Sequence, residues 1–213
     1  MVLKKNSHYR RINMTRDDFI QQYWSYYTML ERNCKEISRY VDFRMSNYNT
    51  CSNEIIGQLL DVGAEFDNFC KTVCSIENEE RPNITDYANW MLDNIRGIRN
   101  VRIKVSGSDL EIMPFKNWNR NKAGELYWWQ AYNNVKHNRI ESYAEGNLKN
   151  LLSALAALYF LEMYLVKRIA KESGKPNALD VPPNSSFMFR IEGWKTAFSV
   201  IGHNYYTDYD PNI

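Results

Sequence analysis

The predicted fold is organised around Trp128-Trp129-Gln130-Ala131-Tyr132-Asn133-Asn134-Val135-Lys136-His137-Asn138-Arg139. This stretch combines two tryptophans and two cations with one of the chain's 3 histidines. In a helix, side chains three and four positions apart share a face, so Asn133 and His137 would stand beside Trp129. An amide, an imidazole and a neighbouring lysine on one face can bind an anion. They can equally tie a buried helix to its neighbours, and the pattern alone leaves both interpretations open.

The segment that follows is the most apolar part of the chain. Between Leu151 and Val166, only Ser153 and Glu162 are strongly polar. This pattern predicts a long helix over 145–173, at the centre of a bundle or in a dimer seam. We expect the apolar run to be too short and too interrupted to span a bilayer.

Ahead of the central stretch, apolar side chains recur at helical spacing in three segments. They predict a helix from an N-cap at Thr15 to about 43 and a second from 52 or 53 that ends before the charged segment 77–81 and Pro82. A shorter helix is predicted over 85–95, with Thr85 as its cap. After Gly97 the period changes to two, which predicts a small β-hairpin over 99–116. Short strands are expected near 187–191 and 197–201.

These patterns predict a mainly α fold. We expect a bundle of four to five main helices with a small inserted β-hairpin and a short irregular or β C-terminal tail. The 213 residues suit a single domain. Within it, 1–14 would be a flexible arm, 99–116 the hairpin insertion and 176–213 a C-terminal extension.

Composition narrows the class of protein only slightly. Apolar residues at 44% and a net charge of +2 fit a soluble domain and lack the strong basic excess of a dedicated nucleic-acid binder. The 4 cysteines lack the spacing of a zinc site and indicate reduced thiols. Without an apolar leader pattern near the N-terminus, we expect a cytoplasmic protein that needs no metal and no cofactor.

A second candidate lies in the predicted helix that begins near 52. Asp61 and Glu65 are four residues apart, so their carboxylates share a face. Paired carboxylates can perform general acid–base chemistry, although a solvated helix face is the more common origin of such a pair. Glu65 also suggests a third possibility, a small-molecule enzyme in which it acts together with His137.

The run from Tyr132 to Arg139, followed by a leucine-rich helix, resembles HEPN proteins (higher eukaryote and prokaryote nucleotide-binding). That family forms usually dimeric helical bundles, common in toxin–antitoxin and phage-defence systems, and its active members are metal-independent ribonucleases. The family motif is an arginine, four to six residues and then a histidine, near the dimer seam. His137 takes the histidine position and Asn133 matches a polar position of the motif, whereas Tyr132 stands in place of the arginine.

The resemblance implies a homodimer that binds RNA or a nucleotide, with metal-independent endoribonuclease activity as the catalytic version. His137 and Asn133 would be the catalytic residues, because imidazoles ordinarily titrate near neutral pH and an amide can orient one. The predicted substrate-binding residues are Lys136, Arg139, Glu65 and Trp129, with the two cations on phosphate and the indole stacked on a base.

The alternative function is non-catalytic. In that hypothesis the chain is a helical interaction protein, and its helix over 148–169 forms the seam with a second copy, an antitoxin or another protein partner. Neither hypothesis involves a membrane.

Overall fold

The computed structural model describes residues 12–74, 82–120, 126–174 and 186–194, together with the backbone of two strands at 198–200 and 203–205. The main helices are α1 (Arg16–Phe19), a π-helical turn (Ile20–Trp24), α2 (Ser25–Ile37), α3 (Asn53–Cys74), α4 (Ile84–Asn94), α5 (Tyr127–His137) and α6 (Leu148–Glu172). Short 3-10 turns cover Met45–Asn47, Ile98–Asn100 and Tyr143–Glu145. The strands are β1 (Ile103–Val105), β2 (Glu111–Ile112), β3 (Phe189–Ile191), β4 (Phe198–Val200) and β5 (His203–Tyr205). Because α1, the π-helical turn and α2 are continuous, the described residues form five main helices, which confirms the mainly α prediction.

The helix ends show which local signals the sequence carries. Thr15 caps α1 as predicted, since its hydroxyl accepts from the Asp18 amide at 3.1 Å and the Asp18 carboxylate accepts from the Thr15 amide at 3.0 Å. The cap of α4 is Asn83 and not the expected Thr85, because the Asn83 side chain accepts from the Thr85 amide at 2.8 Å. The first long helix ends at Ile37, before the predicted boundary near 43. Its apolar stripe stops there, and Tyr40 is 85% exposed.

Helix α6 forms the centre of the fold. It packs along α3 and also contacts α1, α2, α5 and β3. By length and composition alone, its 25 residues could cross a membrane, so the expectation that the run is too short was wrong. However, 89% of its most apolar window is buried by the rest of this chain, and that packing accounts for its apolar character. The same burial leaves no free face for the proposed dimer seam at 148–169.

The predicted hairpin is present and is joined by a strand from the C-terminal extension. The sheet order is β2-β1-β3, with Ile103 paired to both Ile112 and Ile191. These three isoleucines are buried, so the inner face of the sheet packs on the helical core. The extension therefore completes the sheet through β3, and a two-stranded hairpin does not have to stand alone.

Both ends of the described chain are attached to the helical core. The Ile12 amide donates to the Glu172 carboxylate at 2.8 Å, so the predicted arm is anchored from residue 12 onward. Residues 1–11 of that arm lie outside the described residues, as does most of the predicted extension. Ahead of β3, the Met188 amide donates to the buried Glu31 carboxylate at 3.2 Å, and the Ser186 hydroxyl donates to the same oxygen.

Candidate functional site

Helix α5 has a buried face made of its aromatic side chains. Trp128 is fully buried, and its indole N–H donates to the Pro114 carbonyl at 2.9 Å. Its ring meets Phe66 of α3 edge to face, with ring centroids 4.8 Å apart. These contacts fix the start of α5 between α3 and the segment that follows the hairpin.

The aromatic packing continues along α5. The Trp129 and Tyr132 rings lie 5.0 Å apart, and Tyr132 packs so closely on Gly63 that a Cβ there would overlap its ring. Trp129 is only 7% exposed, which leaves no open ring face for a base. The predicted stacking role of Trp129 is therefore inconsistent with its position, because its indole is used in packing α5 on α3.

The solvent face of α5 carries the polar residues of the central stretch. His137 and Lys136 are exposed in the last helical turn, Arg139 is exposed just beyond it, and Asn133 is half-buried one turn earlier. The Lys136 ammonium lies 5.3 Å from the centre of the Tyr132 ring. Within the described ranges, no side-chain hydrogen bond or ion pair is formed by His137, Asn133 or Arg139. The structure thus brings four predicted site residues together at one exposed helix end.

The turn after α5 is held by its own amide–carboxylate pairs. The side-chain amide of Asn134 donates to both carboxylate oxygens of Glu145, at 3.0 and 2.9 Å. The side-chain amide of Asn138 donates to the Glu141 carboxylate. These bonds engage the two nearby carboxylates with neutral amides. As a result, Lys136 and Arg139 keep their charges facing solvent, beside the exposed turn residues Ile140 and Tyr143.

Glu65 lies on a different face of α3 from the one that meets α5. Gly63 and Phe66 contact α5, whereas Asp61 and Glu65 lie close to Tyr26 of α2. Burial, and secondarily the charges of these two carboxylates, raises the pKa of the Tyr26 hydroxyl. Residues two positions apart on a helix point about 200° apart, so Glu65 faces away from the α5 contact at Gly63. In the described part of the chain, no hydrogen bond or ion pair joins Glu65 to His137. The structure therefore does not assemble the enzyme site that combines them.

Glu65 instead lies near a carboxyl that the sequence did not single out as a site. Glu162 of α6 is 0% exposed, and among the described residues neither of its carboxyl oxygens has a hydrogen-bond partner. Burial, and secondarily the charge of Glu65, raises the pKa of the Glu162 carboxyl well above its ordinary value. The only available sequence signal was one acidic residue inside an otherwise apolar helix.

The described residues contain no cluster of three or more histidine, cysteine or acidic side chains placed to hold a metal. All four cysteines are free thiols, and Cys34, Cys70 and Cys74 are buried. Burial raises the pKa of the Cys34 thiol, and also that of the Cys70 thiol. These cysteines therefore serve as packing residues, as the sequence suggested.

No family model, no curated protein and no solved structure matches this chain. The HEPN resemblance accordingly stays a prediction that rests on the residues of the central stretch.

Proposed function

We propose that this protein binds single-stranded RNA through the C-terminal end of α5. The observation that carries the proposal is the common exposure of Lys136, His137 and Arg139 at one helix end, with no carboxylate paired to them in the described ranges. A cation that is not engaged with a carboxylate is available to neutralise phosphate. Contacts of this kind supply a large share of the affinity of proteins for nucleic acids.

The surroundings of these cations favour a single strand. Tyr143 is 40% exposed and Ile140 is 88% exposed in the turn that follows Arg139. Unpaired bases stack on exposed aromatic side chains, whereas the bases of a duplex are already stacked on one another. Tyr143 thus takes the base-stacking role that the sequence had suggested for Trp129.

The geometry of one chain supports binding more strongly than cleavage. Metal-independent RNA cleavage requires one group to accept the 2′-hydroxyl proton and another to donate a proton to the leaving oxygen. His137 provides one such group, and the nearby Glu141 and Glu145 accept hydrogen bonds from asparagine amides. A ribonuclease built on this end would need a second His137 from another copy, so both the homodimer and the activity stay predictions.

Charge reversal at the end of α5 tests the binding proposal. The test variant carries both Lys136→Glu and Arg139→Glu. The control variant carries Arg32→Glu and Lys35→Glu on α2, which change the net charge by the same amount. Affinity for a labelled single-stranded RNA is measured by fluorescence anisotropy at several salt concentrations. We expect the α5 variant to bind at least about tenfold more weakly. The slope of the logarithm of its binding constant against the logarithm of salt concentration should be shallower by about 0.7 for each lost phosphate contact.

The control variant decides between site binding and general attraction. If both variants lose the same affinity, binding follows net charge and the α5 site is refuted. Wild-type protein that fails to bind RNA at low salt also refutes the proposal.

The same RNA, incubated without metal, tests the ribonuclease prediction. Cleavage by the wild type that is lost in His137→Ala would assign a catalytic role to the imidazole. Cleavage that survives in His137→Ala would contradict that role.

A further inference from the structure

A pocket of about 330 Å³ lies at the C-terminal end of α4. Its wall is formed by the turn after α4, where Gly97 adopts a left-handed φ of 74°, and by Lys116 from the segment after the hairpin. Ile95 and Ile98 are buried and line the pocket on its inner side. Arg99 and Asn100 complete the exposed rim.

Among the described residues, the charged side chains that line this pocket are all positive. No described carboxylate lines the pocket, and within the same ranges neither Arg99 nor Lys116 forms an ion pair. Neighbouring arginines behave differently, since Arg102 pairs with Glu111 and Arg120 pairs with Asp93. Two cations and one amide therefore face a concave site while the adjacent cations are neutralised by carboxylates.

The size and chemistry of the pocket together indicate its ligand. Small-molecule sites typically start at about 300 Å³, so this pocket is large enough for a compact ligand. A guanidinium can bind a phosphate with two parallel hydrogen bonds, and an ammonium adds a point charge. A second hollow of about 240 Å³ also borders Lys116 and is lined by Tyr127 and by Glu111, whose carboxylate is paired with Arg102. This hollow gives space beside the Lys116 ammonium for a base or sugar.

We propose that Arg99, Asn100 and Lys116 form a binding site for the terminal phosphate of a phosphate monoester. Two sources share this chemistry: a free nucleoside monophosphate and the 5′-phosphate end of an RNA strand. The site involves none of the residues at the C-terminal end of α5, so its test is independent of the RNA-binding proposal.

Calorimetric titration with AMP and with adenosine tests the phosphate requirement. We expect AMP to bind at least about tenfold more tightly than adenosine. The combined variant Arg99→Gln with Lys116→Met should lose at least about tenfold in AMP affinity. As a control, Arg39→Gln removes an exposed cation that is paired with Glu36 and lines neither hollow, and this variant should bind AMP as the wild type does.

Two short RNAs of one sequence, one with a 5′-phosphate and one with a 5′-hydroxyl, distinguish the ligand sources. If the phosphorylated strand binds more tightly and loses that advantage in the combined variant, the ligand is an RNA end. If only AMP affinity depends on Arg99 and Lys116, the ligand is a free nucleotide. The proposal is overturned if neither AMP nor the 5′-phosphate shows that dependence while circular dichroism shows the variant folded.

Discussion

The exposed end of α5 and the buried middle of α6 hold polar side chains in opposite environments. Lys136, His137 and Arg139 lie in solvent, where their charges cost little and are free to meet a ligand. Glu162 lies in the core with no described hydrogen-bond partner, where an unsatisfied carboxyl is costly. A conspicuous run of exposed polar residues therefore destabilises the fold little, whereas one acidic residue buried in an apolar helix destabilises it by more.

The largest expected effect comes from truncating the core of α6. Leu155 is fully buried, so Leu155→Ala should lower the free energy of unfolding by about 2–5 kcal/mol through lost burial and a cavity. Ile140→Ala, in the exposed turn after α5, should change it by less than about 0.5 kcal/mol. Urea denaturation followed by circular dichroism measures both. Similar losses in the two variants would mean that the turn is part of the core.

Removing the buried carboxyl of α6 should stabilise the protein. Glu162→Leu eliminates an unsatisfied group, and we expect the free energy of unfolding to rise by about 1–3 kcal/mol at neutral pH. A loss of stability in this variant would show that Glu162 has a favourable partner in the folded state.

The same carboxyl predicts the sign of a pH dependence. Because the folded-state pKa of Glu162 is raised above its ordinary value of 4.5, the folded chain keeps a proton that the unfolded chain releases. The stability of the wild type should therefore fall as pH rises above about 4.5 toward the folded-state pKa. Glu162→Gln has no proton to release and should remove this part of the slope. If the free energy of unfolding changes with pH by the same amount in the wild type and in Glu162→Gln, the assignment is contradicted.

Two glycines of α3 probe the buried side of α5. A Cβ at position 63 would overlap the Tyr132 ring, so Gly63→Ala should cost about 1–3 kcal/mol of stability. At position 57 a Cβ meets nothing within 4 Å, so Gly57→Ala should add about 0.8–1.0 kcal/mol from helix propensity. Thermal unfolding measures both changes. If Gly63→Ala raises the melting temperature, as Gly57→Ala is expected to do, α5 does not pack on α3 at Gly63.

The elements visible in the sequence are those specified by local patterns. Periodic apolar residues located α3 and α6 to within a few residues, and Thr15, predicted as an N-cap, marks the start of α1. Asn83 was missed as a cap because Thr85, two residues later, also fits that role. The pairing of β3 with β1 joins segments far apart in the chain, and no local pattern encodes such a pairing.

The residues of the candidate site could be predicted from the sequence, but the side chains that surround them could not. Packing of the tryptophans followed from their size. The cluster of exposed Lys136, His137 and Arg139 with half-buried Asn133 followed from helical spacing. The relation between Glu65 and Glu162 depends on how α3 packs on α6, and the position of Tyr143 depends on the turn after α5. Both are tertiary properties, which explains why Glu65 was grouped with His137 and Trp129 was given a stacking role.

Photo-crosslinking of a single-stranded RNA containing 4-thiouridine, with mass spectrometry of the linked peptides, tests the central claim most directly. We predict crosslinks within residues 133–143, at the end of α5 and in the turn that carries Tyr143. Crosslinks that fall only on other surfaces, or a pattern unchanged when Lys136→Glu is combined with Arg139→Glu, would contradict the assignment of this helix end as the RNA site.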